Sequence, residues 1–269
     1  MPAVTAPTHV RLRPIALPVE HGGWAFLFAP LLLGLWVAPS LAGAWLSLAA
    51  LGAFLTRHPL KLALTDHRRG KHYPRTVWAW RFVACYIALA LLGIGMALIT
   101  ARHAFWFSFL LAVPGVLVQF AYDARGQSRA LLAELAGALA LGSLASALAL
   151  AAAWPLVPAL VLWLLLAAWS GAAILYVRAR LRLERGEITA KSPALVAHLL
   201  GVALAGGLIG AGLAPWPSLL AFAALAVRAF LGLSRYRRPV PAKIVGLQET
   251  GFSLLVVVSI ALGYMLEAI

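Results

Sequence analysis

Nine runs of mostly apolar residues, each about long enough to cross the roughly 30 Å hydrocarbon layer of a bilayer, are separated by short polar segments. They lie near 22–38, 41–64, 79–100, 104–122, 130–152, 155–177, 194–213, 217–234 and 244–266. A chain that enters lipid must satisfy every backbone N–H and C=O internally, so runs of this length are expected to be helices. With 63% hydrophobic and only 11% charged residues, a water-soluble fold with an ordinary surface is excluded. The expected fold is therefore all-α: a polytopic membrane protein with nine transmembrane helices. A Pro-rich N-terminal arm (1–20) precedes a single transmembrane domain (21–269). Leu41-Ala42-Gly43-Ala44 imitates a signal-peptidase site, but the first run is expected to be retained as an anchor.

The net charge of +14 would point to nucleic acid in a soluble protein; here its distribution decides. With helices alternating sides, twenty-one of the twenty-two Lys and Arg residues fall on one side, and Arg102 alone falls on the other. The positive-inside rule then places the N-terminus in the cytoplasm and the C-terminus outside. The expected location is the cytoplasmic membrane, crossed many times, with membrane lipids as partners and no nucleic acid. Tryptophans at 24, 78, 80, 154 and 216 stand near helix ends, where an amphipathic ring suits the headgroup layer.

The stretch from Arg57 to Arg81 carries positive charge into an apolar run. Arg57, Lys61, Thr65 and Arg68 recur at helical intervals, so they share a face that lipid tails would not tolerate, and a cavity or an anionic partner is expected there. Arg178 and Arg182 share another helical face, Arg180 points elsewhere, and Lys243 begins the last helix. Arginine's planar fork and lysine's point charge both suit phosphate oxygens. The candidate ligand-binding residues are Arg57, His58, Lys61, Arg68, Arg178, Arg182 and Lys243, with Gln119, Tyr122 and Arg125 as a pocket wall. The competing reading makes the same cations topogenic anchors that touch anionic headgroups.

Glu20 and His21 precede a glycine pair at the first helix and form a candidate proton-handling pair; a plain helix start explains them equally well. Glu249 is an intramembrane carboxylate, so a cation from one of the basic clusters is its expected partner and a proton its candidate cargo. His198, alone on an apolar helix, reads as a hydrogen-bonded core residue. One cysteine, Cys85, and histidines without metal-ligand spacing give no support for a metal site, and no cofactor is expected.

PVEHGGWAFLFAPLLLG at 18–34, FLTRHPLKLAL at 54–64 and RRPVPAKIVGLQETG at 237–251 resemble the YwiC-like family of bacterial membrane proteins. The layout is similar, at greater distance, to the UbiA superfamily of intramembrane prenyltransferases, which implies a nine-helix bundle with polar loops after the second and sixth helices. In that superfamily Asp-rich motifs hold magnesium against an isoprenyl diphosphate. Here Arg57, His58 and Lys61 stand where NDxxD would place Asn and two Asp, and the second motif falls near Arg178 and Arg182 and is likewise basic. The segment from Tyr122 to Gly142, with Glu134 and Gly137, resembles the approach to the superfamily's fifth helix. Cations hold a diphosphate directly, which puts metal-assisted ionisation in doubt.

The resulting expectation is a UbiA-like bundle with a basic, cytoplasm-facing pocket for an anionic amphiphile such as an isoprenoid or lipid phosphate. A divergent metal-independent transferase, a carrier or flippase, and a non-catalytic assembly factor remain open.

Overall fold

Local signals set the helix limits. Ser40 Oγ accepts from Gly43 N at 3.0 Å and starts one helix, and prolines in the first turn start three others, at 74, 193 and 217. Glycines in the left-handed region, Gly70, Gly126, Gly186 and Gly212, close four C-termini. The computed structural model describes residues 11–18, 21–70 and 73–267, with the side chains of residues 21 and 22 outside the description. Its helices are α1 (Arg13–Ala16), α2 (His21–Val37), α3 (Leu41–Arg68), α4 (Pro74–Thr100), α5 (Phe107–Ala124), α6 (Leu131–Ala151), α7 (Leu156–Glu184), α8 (Ser192–Gly210), α9 (Pro217–Leu233) and α10 (Ala242–Glu267). No strand occurs among the described residues.

Among the described residues, nine long helices fall where the apolar runs predict them, but six, α4 to α8 and α10, are both long and apolar enough to cross a membrane. The apolar parts of α2 and α9 are shorter, and α3, at 28 residues, carries Arg57, His58 and Lys61 within its second half. Helix also continues past the apolar limits: α3 runs to Arg68 and α7 to Glu184, so two of the expected basic loops are in part helical.

α6 forms the centre. Its Ala- and Gly-rich surface is buried from Ala136 to Ala138 and from Gly142 to Ala151, with α2, α5 and α7 packed on it. Leu27 and Leu33 of α2, Leu148, Leu162 and Leu165, Phe222 of α9 and Ile260 of α10 fill the main core. α3 and α4 form a tight hairpin. A Cβ on Gly52 would stand 2.7 Å from Tyr86 O, and one on Gly93 would stand 2.6 Å from Ala49 N, so only glycine lets these backbones meet. α1 lies across that hairpin, with Ile15 buried against Ala63 and Ala79.

Large apolar side chains face outward instead. Leu91, Ile99, Leu110, Leu117 and Phe120 on α4 and α5 are each at least 60% exposed. Apolar outside and polar pairs inside is the arrangement lipid demands, and the chain is a multi-pass membrane protein. Trp80 and Trp216 stay exposed near helix ends, as the anchor reading expects; Trp24 and Trp154 turn inward onto Phe54 and Tyr264.

Candidate functional site

α3 and α5 both flank α6 but do not pack along each other, and polar side chains join them. Arg57 Nε donates to Asp123 Oδ2 at 2.9 Å and Nη2 donates to Oδ1 at 3.0 Å, a bidentate pair. In the amide orientation that satisfies both its atoms, Gln119 Oε1 accepts from Arg57 Nη2 and Nη1 at 2.8 and 3.1 Å. The Gln119 amide lies over Gly137 of α6, where any Cβ would overlap it. One turn further along α3, Lys61 Nζ donates to Ser128 Oγ at 3.0 Å, and Arg68 Nη1 reaches Ala124 O at 3.5 Å.

From the other side, α7 contributes Arg178, whose Nη1 donates to Arg129 O at 3.0 Å and to Glu134 Oε2 at 2.8 Å. Cations of α3 and α7 thus converge on one segment, residues 119–134, made of the end of α5, a short turn and the start of α6. Asp123 and Glu134 supply the negative charge at its two sides. These cations meet protein carboxylates, the Ser128 hydroxyl and backbone oxygens. A cavity of about 430 Å³ lies between Val37, Trp154, Tyr264 and Glu267, and another of about 470 Å³ lies between α7 and α8; none of the expected cations lines either.

The remaining candidates are dispersed. His58 Nε2 lies 3.0 Å from Pro14 O and ties α3 to α1. Tyr122 is half-buried, and its backbone oxygen accepts from Arg125 N and Gln127 N to close α5. Arg125, Arg182 and Lys243 are exposed. Glu20 and the side chain of His21 lie outside the described residues.

Glu249 pairs with Arg228, which stands inside α9 and not in one of the basic loops: Arg228 Nη1 donates to its Oε1. Arg228 Nη2 also faces His198 Nε2 at 3.2 Å, and its guanidinium lies over the rings of Tyr176 and Phe252. His198 is buried and hydrogen-bonded, Nδ1 to Ala194 O at 2.7 Å, but it is joined to an ionic cluster that its isolation in the sequence conceals.

Arg180 is buried at 5% exposure. Its Nε forms an ion pair with Glu184 Oε1 at 2.8 Å, and its Nη groups donate to Gly232 O and Arg238 O. At the turn from α3 to α4, Asp66 has no exposed surface and is held by Arg75 and Thr76. The Arg75 guanidinium holds the Asp66 carboxyl below the ordinary carboxylate range, against the opposing effect of burial. Residue-by-residue reading of the sequence passed over Asp66, Asp123, Glu134 and Arg180 as partners. The four-residue spacing of Gln119 and Asp123 was the available signal, since it puts both on one face of α5. No group of three His, Cys, Asp or Glu side chains able to hold a metal occurs among the described residues.

Residues 17–149 match the model of a family described as YwiC-like protein. The match ends inside α6, so the Arg228 and Arg180 clusters lie wholly beyond it. No curated protein and no solved structure matches the chain.

Proposed function

Over residues 17–149 this chain belongs to the YwiC-like family, and from that premise we propose that it is a nine-span membrane protein, arranged like a UbiA bundle with its N-terminus cytoplasmic, that binds an anionic amphiphile at its basic end. The ligand is a lipid or isoprenoid bearing a phosphate or diphosphate. Its head group takes the places that Asp123 and Glu134 occupy beside Arg57, Lys61 and Arg178, and its tail runs along α5 toward the exposed Leu117 and Phe120. The supporting observation is the convergence of cations from α3 and α7 on residues 119–134, because topogenic charges alone have no reason to share one target. If the ligand reacts, Arg57, Lys61 and Arg178 stabilise the leaving phosphate directly.

The test is native mass spectrometry of purified protein. Retention of a phosphate-bearing amphiphile, with occupancy about tenfold lower in Arg57→Ala and Lys61→Ala, supports the reading. Equal occupancy in wild type and both variants overturns it. Product formation in EDTA marks a metal-independent transferase, and flux of unmodified ligand to the far leaflet marks a carrier. A stable protein partner without either marks an assembly role.

A further inference from the structure

Glu249 lies seven residues beyond Ala242, roughly 10 Å along α10 at 1.5 Å per residue. Its partner Arg228 is anchored independently of it. Nη2 faces the His198 ring nitrogen at 3.2 Å, and the guanidinium carbon stands 4.1 Å from the Tyr176 ring centroid and 4.8 Å from that of Phe252. Two aromatic faces and an imidazole therefore hold the cation whether or not the carboxylate is charged. The Arg228 side chain is 9% exposed, and its Nε is buried with no hydrogen-bond partner.

The same bonds fix the imidazole. Arg228 offers only donors, so His198 Nε2 accepts and the ring proton sits on Nδ1, which donates to Ala194 O. A proton added at Nε2 would meet the guanidinium head on. Glu249 is the group in this cluster that can take a proton while Arg228 keeps its other contacts. Arg228 of α9 faces Glu249 directly, with His198 of α8 and Tyr176 of α7 behind the guanidinium and Arg180 and Glu184 beside Tyr176. The described side chains of α2, which also packs on α10, carry no charge. Gly246, one turn before Glu249 on the same face, is exposed, and no neighbouring atom lies within 4 Å of where its Cβ would stand.

We propose that Arg228, Glu249 and His198 form a proton-coupled anion site. A proton from water joins the Glu249 carboxylate, its bond to Arg228 is released, and a carboxylate or phosphate oxygen of the ligand takes its place at Arg228 Nη1. For a monoanion the cluster's net charge is the same before and after, which avoids leaving an uncompensated charge in a low-dielectric interior. The site is separate from the basic end, and Arg57→Ala leaves it intact.

The experiment is infrared difference spectroscopy with proton-uptake measurement on the full chain in phosphatidylcholine nanodiscs. In one arm acetate or inorganic phosphate is added; in the other the nanodiscs contain phosphatidate, which separates a free anion from a lipid head group. A protonated-carboxyl band with uptake of about one proton per chain in at least one arm, both absent in Glu249→Gln, is the expected result. No band in either arm, or a band that persists in Glu249→Gln, overturns the site. Gly246→Leu keeps every group of the cluster and fills the open space beside Glu249 by which the proposal has the ligand reach Arg228, so it tests the site even if Glu249→Gln fails to fold. An anion response weakened about tenfold supports the proposal, and an unchanged response overturns it.

Discussion

Asp66 takes both forks of Arg75 across the turn from α3 to α4, Nε at 3.1 Å and Nη2 at 2.7 Å, while Thr76 Oγ1 adds a third donor at 2.8 Å. A carboxylate without exposed surface is tolerated here because three donors claim its oxygens. Asp66→Asn turns an amide donor toward a guanidinium that can only donate. The thermal midpoint in detergent is expected to fall on the order of 5 °C, and by less in Thr76→Val. Equal midpoints for wild type and Asp66→Asn would remove this pair from the hairpin's support.

The same carboxylate sets a pH dependence. Its folded-state pKa is lowered by Arg75 below the ordinary 3.8, so the unfolded chain binds the proton more readily. The stabilisation is complete above the ordinary value and is lost as pH falls through the lower, folded one. Thermal midpoints of wild type and Asp66→Asn should differ at neutral pH and draw together in strong acid. A gap that widens on acidification would contradict the sign.

Arg57 and Asp123 connect helices that hardly touch otherwise. Because the Arg57 side chain is 41% exposed, the coupling in a double-mutant cycle of Arg57→Ala and Asp123→Ala is expected near 1 kcal/mol, well below that of a buried pair. Arg57→Lys keeps the charge and loses the fork, so it should recover less than half of it. Crosslinking between cysteines placed on α3 and α5 in a Cys85→Ser background reports the same loosening.

The nine long helices were legible because apolar length and glycine or proline boundaries act locally. Arg57, Lys61 and Arg68 were legible as one face for the same reason: helical spacing fixes which side chains point together. What they point at was not legible, because Asp123 and Ser128 lie more than sixty residues away and tertiary packing alone brings them near. Helical spacing alone therefore leaves surplus positive charge where the fold supplies carboxylates one by one. His198 shows the converse: alone on its helix, it meets Arg228 only when α8 and α9 pack.

The α3–α4 hairpin should be intolerant of side chains at two positions. At Gly52 and Gly93 the opposing atoms are backbone, which cannot move aside as a flexible side chain can. Gly52→Val and Gly93→Val are each expected to cost about 1–3 kcal/mol, or to prevent folding, whereas Gly95→Val, which meets no neighbour, should be close to neutral in packing. Detergent-resistant yield on size exclusion separates these outcomes.

Arg180 fastens α7 to the turn between α9 and α10. Its guanidinium donates to Gly232 O and Arg238 O, while Glu184 both pairs with Arg180 and accepts from Val240 N at 3.3 Å. Removing either ion leaves the other buried without its partner, so Arg180→Leu and Glu184→Leu should each destabilise by about 3–5 kcal/mol, whereas the double substitution should cost less than their sum. The released turn contains Arg235 and Arg237, each a trypsin target, whereas Pro239 protects the bond after Arg238. Limited trypsinolysis should therefore cut residues 235–238 faster in Arg180→Leu than in wild type, with cutting after exposed Arg125 unchanged as the internal control. Equal rates at both places would mean that backbone geometry, and not this clamp, orders the turn.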